Sequence, residues 1–197
     1  MDALVPDGKD AVRARIRANL AETLSRVEKC VNAIRMWTPG EFDYLHSSQY
    51  CIYLYFLANT IWRNSGDKGA CTRLFLLNKA LNGLDCFYEI EMPDIFFIGH
   101  SPGIVLAKAT YSNYLVLYQS VTVGKNHGVA PVLEEGVVMY PGSAIIGRCR
   151  VGARTVLAQG TSVVNVDCPG GSLVFNVDGR RITTAPLGRD IWQDIFR

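Results

Sequence analysis

The sequence predicts an α+β chain: an α-helical N-terminal domain over residues 1–84, a parallel β-helix over 85–169, and a cap of strands and a short helix over 170–197. Three observations carry this division. Apolar residues recur at helical spacing in the first third, one aliphatic residue recurs every six positions between Leu133 and Val163, and Asp178-Gly179 separates two short β-like runs near the end. With 49% apolar and 19% charged residues in 197, the chain makes one large domain or two small ones and excludes a low-complexity protein. The formal charge of +2 is too small an excess to make nucleic acid the expected partner.

No membrane partner is expected either. The longest uncharged apolar segment, Gln49 to Trp62, falls short of the roughly 20 residues a spanning helix needs. The N-terminal residues MDALVPDGKDAVRARIR show no apolar run followed by a small-residue cleavage site, so no secretory signal is expected. Six scattered cysteines without a CxxC fit neither a zinc knuckle nor a disulfide framework, and a reducing cytoplasm suits them best.

Between Val12 and Ile34, apolar residues fall at 12, 16, 20, 24, 27, 31 and 34, which places them on one face of a first helix. Thr38-Pro39-Gly40 breaks it, because proline lacks an N–H donor and restricts the preceding residue. A second, aromatic-rich helix runs from about Ser47 to Asn64 and ends near Gly66. A third covers about Lys68 to Leu81, with Leu74, Phe75, Leu76 and Leu81 expected inside.

After residue 90 the period changes. Leu133, Met139, Ile145, Val151, Leu157 and Val163 are spaced by six, and a small or β-branched residue stands four places after each of the first five. A helix would spread an i+6 series around its circumference, and a simple strand would not need glycine at such regular points. A chain that turns a corner every six residues satisfies both constraints, and three sides then close a coil of about 18 residues. An upstream series, Met92, Ile98, Ile104, Thr110, Val116 and Thr122, keeps the spacing but stands eleven residues from Leu133. Five extra residues are therefore expected to leave the prism as a loop over 124–131.

At this point the residues resemble a known family. FFIGHSPGIVLAKATYSNYLVLYQSVTVG, EEGVVMYPGSAIIGRCRVGARTVLAQGTSVV and the helical segment IYLYFLANTIWRNSGDKGACTRLFLLNKALNGLD are similar to the serine O-acetyltransferase branch of the hexapeptide-repeat acyltransferases, over roughly residues 45–168. The resemblance implies a left-handed β-helix, homotrimers or dimers of trimers, and acetyl-CoA as cosubstrate in the cleft between adjacent prisms, without a metal. It implies His100 as general base, in the position of the family's "DH, two residues, GIV" histidine. A group near neutral pKa is what the reaction needs, since the acceptor must lose a proton as it attacks the thioester. Fifteen residues earlier, Asp85 matches the aspartate that orients this histidine, with Glu89 and Glu91 as alternatives for that role.

Two departures concern the acceptor. The family's acidic residue before its histidine is Gly99 here, and its Arg-His pair before a proline is Val129-Ala130. Without these groups an amino-acid zwitterion loses its charge-assisted partners. The expected reaction is therefore acetyl transfer from acetyl-CoA to a hydroxyl or amine of a sugar or other small metabolite, and authentic serine O-acetylation, as in cysteine biosynthesis, is the second reading. Gly99 and His127 are the substrate-site candidates, while Lys125, Gly142, Ser143, Gly160 and Thr161 are candidates for the CoA site. Arg148, Arg154, Arg180 and Arg181 are further candidates for the CoA phosphates or nucleotide. Tyr111, Tyr114 and Tyr118 are expected to pack on prism faces or at trimer contacts. A zinc enzyme resembling γ-type carbonic anhydrases would need three converging histidines, and His46, one of only three, lies in the helical region. A non-catalytic β-helix scaffold is the remaining class.

Overall fold

The computed structural model describes residues 8–179 and 181–197. Arg180 and the first seven residues of the N-terminal segment lie outside this range. Three helices come first: α1 (Lys9–Ala33), α2 (Ser47–Ser65) and α3 (Lys68–Asn82). Gly66 ends α2 in a left-handed conformation that costs glycine little, and the next residue already opens α3, where the Asp67 carboxylate accepts from the Ala70 N–H at 3.1 Å. On α3 the buried face is Ala70, Cys71, Leu74, Leu77, Asn78 and Asn82. Leu76 and Leu81, expected inside, are 52% and 53% exposed. The face turned to α2 follows the 71, 74, 78, 82 stripe, which leaves both leucines off it.

Short strands follow: β1 (Asp85–Cys86), β2 (Phe96–Ile98), β3 (Val105–Leu106), β4 (Thr110–Tyr111), β5 (Leu115–Leu117), β6 (Thr122–Gly124), β7 (Val132–Leu133), β8 (Val138–Met139), β9 (Ala144–Ile146), β10 (Arg150–Val151), β11 (Val156–Leu157) and β12 (Ser162–Val164). They wind into a triangular prism. The first face is β1-β3-β6-β9-β12, the second is β4-β7-β10, and the third is β2-β5-β8-β11, with every pair parallel. The third face continues through β13 (Ser172–Val177), with β14 (Arg181–Pro186) antiparallel at its edge.

All six residues of the downstream hexad series are fully buried, and the small residues four places on are at most 3% exposed. In the upstream series Ile98 pairs with the inward Leu117 as expected, but Thr110, Val116 and Thr122 are each offset by one from the inward position. Tyr111, Leu117 and Val123 register with the inward column through Leu133, Met139 and Ile145, whereas Thr110 is exposed and Thr122 half-buried. Val116 is nevertheless fully buried, in one apolar cluster with its register partners Phe97 and Val138 on the third face. Val123 and Leu133 are ten apart, so four residues leave the prism rather than five. They do so as a tight turn in which Asn126 and Val129 exchange two 3.0 Å backbone hydrogen bonds. His127 and Gly128 sit at its tip with φ of 47° and 80°.

The terminal segment does more than cap the prism. After β14 the chain reaches α4 (Trp192–Ile195), and Phe196 bridges to Ile34 at the end of α1. The Arg197 guanidinium donates to the backbone oxygens of Asn32 (2.9 Å), Arg35 (3.1 Å) and Trp37 (2.6 Å), groups left without partners where α1 stops. Arg197→Ala should therefore destabilise the protein by about 2 kcal/mol, the scale of hydrogen bonds to a charged group. An unchanged urea midpoint would contradict this clasp.

All six cysteines are free and buried. No helix among the described residues is long and apolar enough to cross a membrane.

Candidate active site

His100 stands where the third face turns into the first, just after β2, and it is exposed rather than inside the prism. Its corner meets the connection between α1 and α2. A cleft of about 330 Å³ opens there, and Trp37, His46, Ser48, Phe97, Gly99 and Tyr118 line it together with His100 and Met36. Trp37 packs against His46 and Phe97 with ring centroids 5.6 and 5.7 Å apart, and the Ser48 hydroxyl donates to the Gly99 carbonyl at 3.2 Å. The cleft is thus built from a prism corner and a helical connection that are far apart in sequence. No hydrogen bond fixes the His100 ring. Asp85 is not joined to it: the Lys79 ammonium holds the Asp85 carboxylate at 2.6 Å.

Gly99 leaves room for a neighbouring ring. A Cβ at this position would lie 2.6 Å from Cε1 and 2.7 Å from Cδ1 of Tyr118. Tyr118 belongs to the next coil and stacks on Tyr140 one coil further, with centroids 5.3 Å apart and planes 13° from parallel. Burial and the nearby Tyr140 push the Tyr118 phenol above its ordinary pKa, so it remains protonated near neutrality. An acidic side chain at position 99 is incompatible with this ring position. Gly99→Ala should cost about 1–2 kcal/mol in an intact protein, as overpacking does. The same change in a Tyr118→Ala background should cost under about 0.5 kcal/mol, so a double-mutant cycle reads the contact directly. Equal costs in both backgrounds would contradict the contact.

Four of the expected CoA residues, Gly142, Ser143, Gly160 and Thr161, lie along the same prism edge as His100. Backbone hydrogen bonds from Ser120 to Pro102 (3.0 Å), Gly142 to Gln119 (3.1 Å) and Gly160 to Pro141 (2.9 Å) stack successive corners above His100. Gly142 and Gly160 take φ of 71° and 70° and are exposed. The side chains of Ser143 and Thr161 point inward, at 0% and 2% exposure, so a ligand on this edge meets backbone and not their hydroxyls. Lys125 and His127 are exposed on the turn between β6 and β7, at a different corner, and do not line the His100 cleft of their own chain. Arg148 is exposed, and Arg154 lies over the Trp192 ring at 4.3 Å while pairing with Asp190 at 2.7 Å. Tyr111 donates to the Ala107 carbonyl, and Tyr114 packs edge-on against Phe196. Among the described residues no group of three His, Cys, Asp or Glu side chains is placed to hold a metal ion.

Trp37, His46 and Ser48 carry no motif, and their part in the cleft could not be read from sequence. Tyr118 could have been: nineteen residues separate it from Gly99, close to one coil, and such a spacing stacks residues on one face.

No protein-family profile matches the chain. It is 25% identical over 142 residues to a Schizosaccharomyces pombe protein named "Putative serine acetyltransferase", covering 70% of this chain and 52% of that protein. It is 27% identical over 106 residues to the plasmid serine acetyltransferase of Synechococcus elongatus, covering 47% and 33%. The chain thus spans about half the length, or less, of these relatives. Among solved structures, the serine acetyltransferase of Neisseria gonorrhoeae superposes with a TM-score of 0.72 at 17% identity, covering 92% of this chain and 71% of that one. That of Vibrio cholerae gives 0.72 at 18% identity, covering 92% and 72%. The fold is accordingly a left-handed β-helix behind an N-terminal helical region. In sequence the chain is similar to serine acetyltransferases, and in fold it shares the left-handed β-helix and helical lead-in of solved serine acetyltransferases.

Proposed function

We propose that the chain transfers an acetyl group from acetyl-CoA to a hydroxyl of a small acceptor, with His100 as general base. The observation that carries this reading is the placement of one exposed imidazole at the foot of a prism edge whose upper corners, Gly142 and Gly160, present open backbone. Corners one coil apart are separated by about 4.8 Å, the spacing of paired strands, so this edge offers an extended thioester a track that ends at His100.

The acceptor hydroxyl gives its proton to the imidazole as its oxygen attacks the thioester carbonyl. The C–S bond then breaks, and the imidazolium returns the proton to the departing sulfur. An acetyl ester and free CoA result, with His100 restored. Asp85 has no part in this step, because the ion pair with Lys79 occupies its carboxylate.

Lys125 and His127 reach a His100 cleft only from a neighbouring prism, since within one chain they occupy another corner. A homotrimer with CoA between prisms follows from this reading. The names of the relatives favour L-serine over a sugar or other metabolite as acceptor. Purified protein should release free thiol from acetyl-CoA only when an acceptor is present. Thiol release with none of a panel containing L-serine, amino sugars and neutral glycosides would contradict acyl transfer.

A further inference from the structure

We propose that His46 binds the carboxylate of the acceptor in the His100 cleft and so selects L-serine over uncharged analogues of it. The inference rests on the reading above for L-serine as acceptor and for its acetylation, but not for how His46 is tested. His46 stands in no motif, and only the fold brings it to this place.

Two imidazoles line one cleft of about 330 Å³, His100 from a prism corner and His46 from the connection that leads into α2. Both are exposed, and neither ring makes a hydrogen bond among the described residues. The backbone of His46 is nevertheless fixed. Its N–H donates to the Asp43 carbonyl at 3.2 Å, and its carbonyl accepts from the Tyr50 N–H at 2.9 Å. Trp37 packs edge-on with the ring, centroids 5.6 Å apart, and the Trp37 carbonyl is itself held by Arg197 at 2.6 Å. The ring is thus positioned while its nitrogens stay unused, which lowers the cost of ordering it around a ligand.

The chemistry of the lining assigns the anion to this ring. Met36 and Phe97 offer no donor, and the Ser48 hydroxyl already donates to the Gly99 carbonyl at 3.2 Å. Within one chain, His46 is the side chain of this cleft, besides the base, that can carry a positive charge. An imidazole presents at least one N–H in either protonation state, and an ionised carboxylate only accepts, so the two pair whichever state His46 holds. An anion beside it favours the imidazolium and makes the hydrogen bond charge-assisted. His100 has to be neutral to take a proton, so the carboxylate belongs on the other ring. In serine the hydroxyl and the carboxylate stand on adjacent carbons, and one small cleft can present the first to His100 and the second to His46. On the trimer reading, Lys125 and His127 of a neighbouring prism are the rival partners for the same carboxylate, and the experiment tells them apart.

Titration calorimetry on the full chain reads binding apart from turnover, with L-serine and L-serinamide as probes. L-Serinamide keeps the hydroxyl and the amine but lacks the anion. L-Serine is expected to bind at least about tenfold more tightly, the scale of a hydrogen bond between charged groups. His46→Ala should remove this preference by weakening L-serine about tenfold while leaving L-serinamide unchanged, with the melting temperature retained because the ring is exposed. His46→Gln, which keeps a neutral N–H donor, should recover part of the loss. Equal weakening of both probes by His46→Ala would reduce His46 to a wall of the cleft and overturn the inference. A preference removed by Lys125→Ala or His127→Ala and untouched by His46→Ala would overturn it as well, as would no binding of L-serine. Serine-dependent thiol release alongside any of these results would leave acyl transfer standing. A preference set by His46 in a protein that releases no thiol would uphold this inference and overturn the reading of function.

Discussion

His100→Ala is expected to lower acetyl transfer at least about 100-fold, the low end of what a positioned general base contributes. The melting temperature should stay unchanged. Both halves of this expectation come from the same geometry. The imidazole is exposed at a prism corner and makes no hydrogen bond, so its removal leaves no cavity and no orphaned partner. It is also a ring nitrogen at the foot of the Gly142–Gly160 edge. Asp85→Asn should by contrast change the rate little, since Lys79 and not His100 holds that carboxylate. A variant of His100 that kept its rate within a factor of three, or that lost the fold, would contradict the assignment.

Gly152→Ala should give the largest loss of stability from a single added methyl, about 3 kcal/mol for overpacking against atoms that cannot move aside. A Cβ at Gly152 would lie 2.5 Å from the Gly170 nitrogen and 2.9 Å from its Cα, both backbone atoms of the next coil. The same two levels are laced together by Gly152 donating to the Cys168 carbonyl at 2.9 Å and by the Thr155 hydroxyl near the Gly152 and Pro169 carbonyls. Relief by movement would break these bonds. For a chain of this size such a loss lowers the melting temperature by about 6–12 °C. The rate per folded molecule should be retained, because the clash lies at another corner from His100. A melting temperature within a degree of the parent would show that the coils are not packed as described.

The legibility of this fold tracks how strictly each position is constrained. From Leu133 onward every inward position is sealed inside the prism, so only aliphatic and small residues fit and the six-residue rhythm shows without exception. Upstream the rhythm blurs, because Val116 and Leu117 are both buried, one in the apolar cluster on the third face and the other inside the prism. Hydrophobicity alone cannot choose between them, and the phase shifts by one. The helices were legible in extent because Thr38-Pro39-Gly40 and Gly66 mark the ends of the first two, but Leu76 and Leu81 show that an apolar residue on a helix need not face the core. Half of the cleft was readable. His100 stands in a recognisable motif, and Gly142 and Gly160 mark corners. Trp37 and His46 belong to a connection, and Ser48 to the first turn of α2, whose positions depend on tertiary docking, including the Arg197 clasp from the other end of the chain.

The proposed reaction depends on one edge of the prism guiding a thioester to His100. The most direct measurement is a crystal structure of the chain grown with CoA. It should show the thiol end of CoA in the His100 cleft, the chain behind it running past the backbone of Gly142 and Gly160, and a neighbouring prism closing the groove. CoA bound instead in the hollow between Arg35, Arg154 and Trp192, with the His100 edge empty, would contradict it.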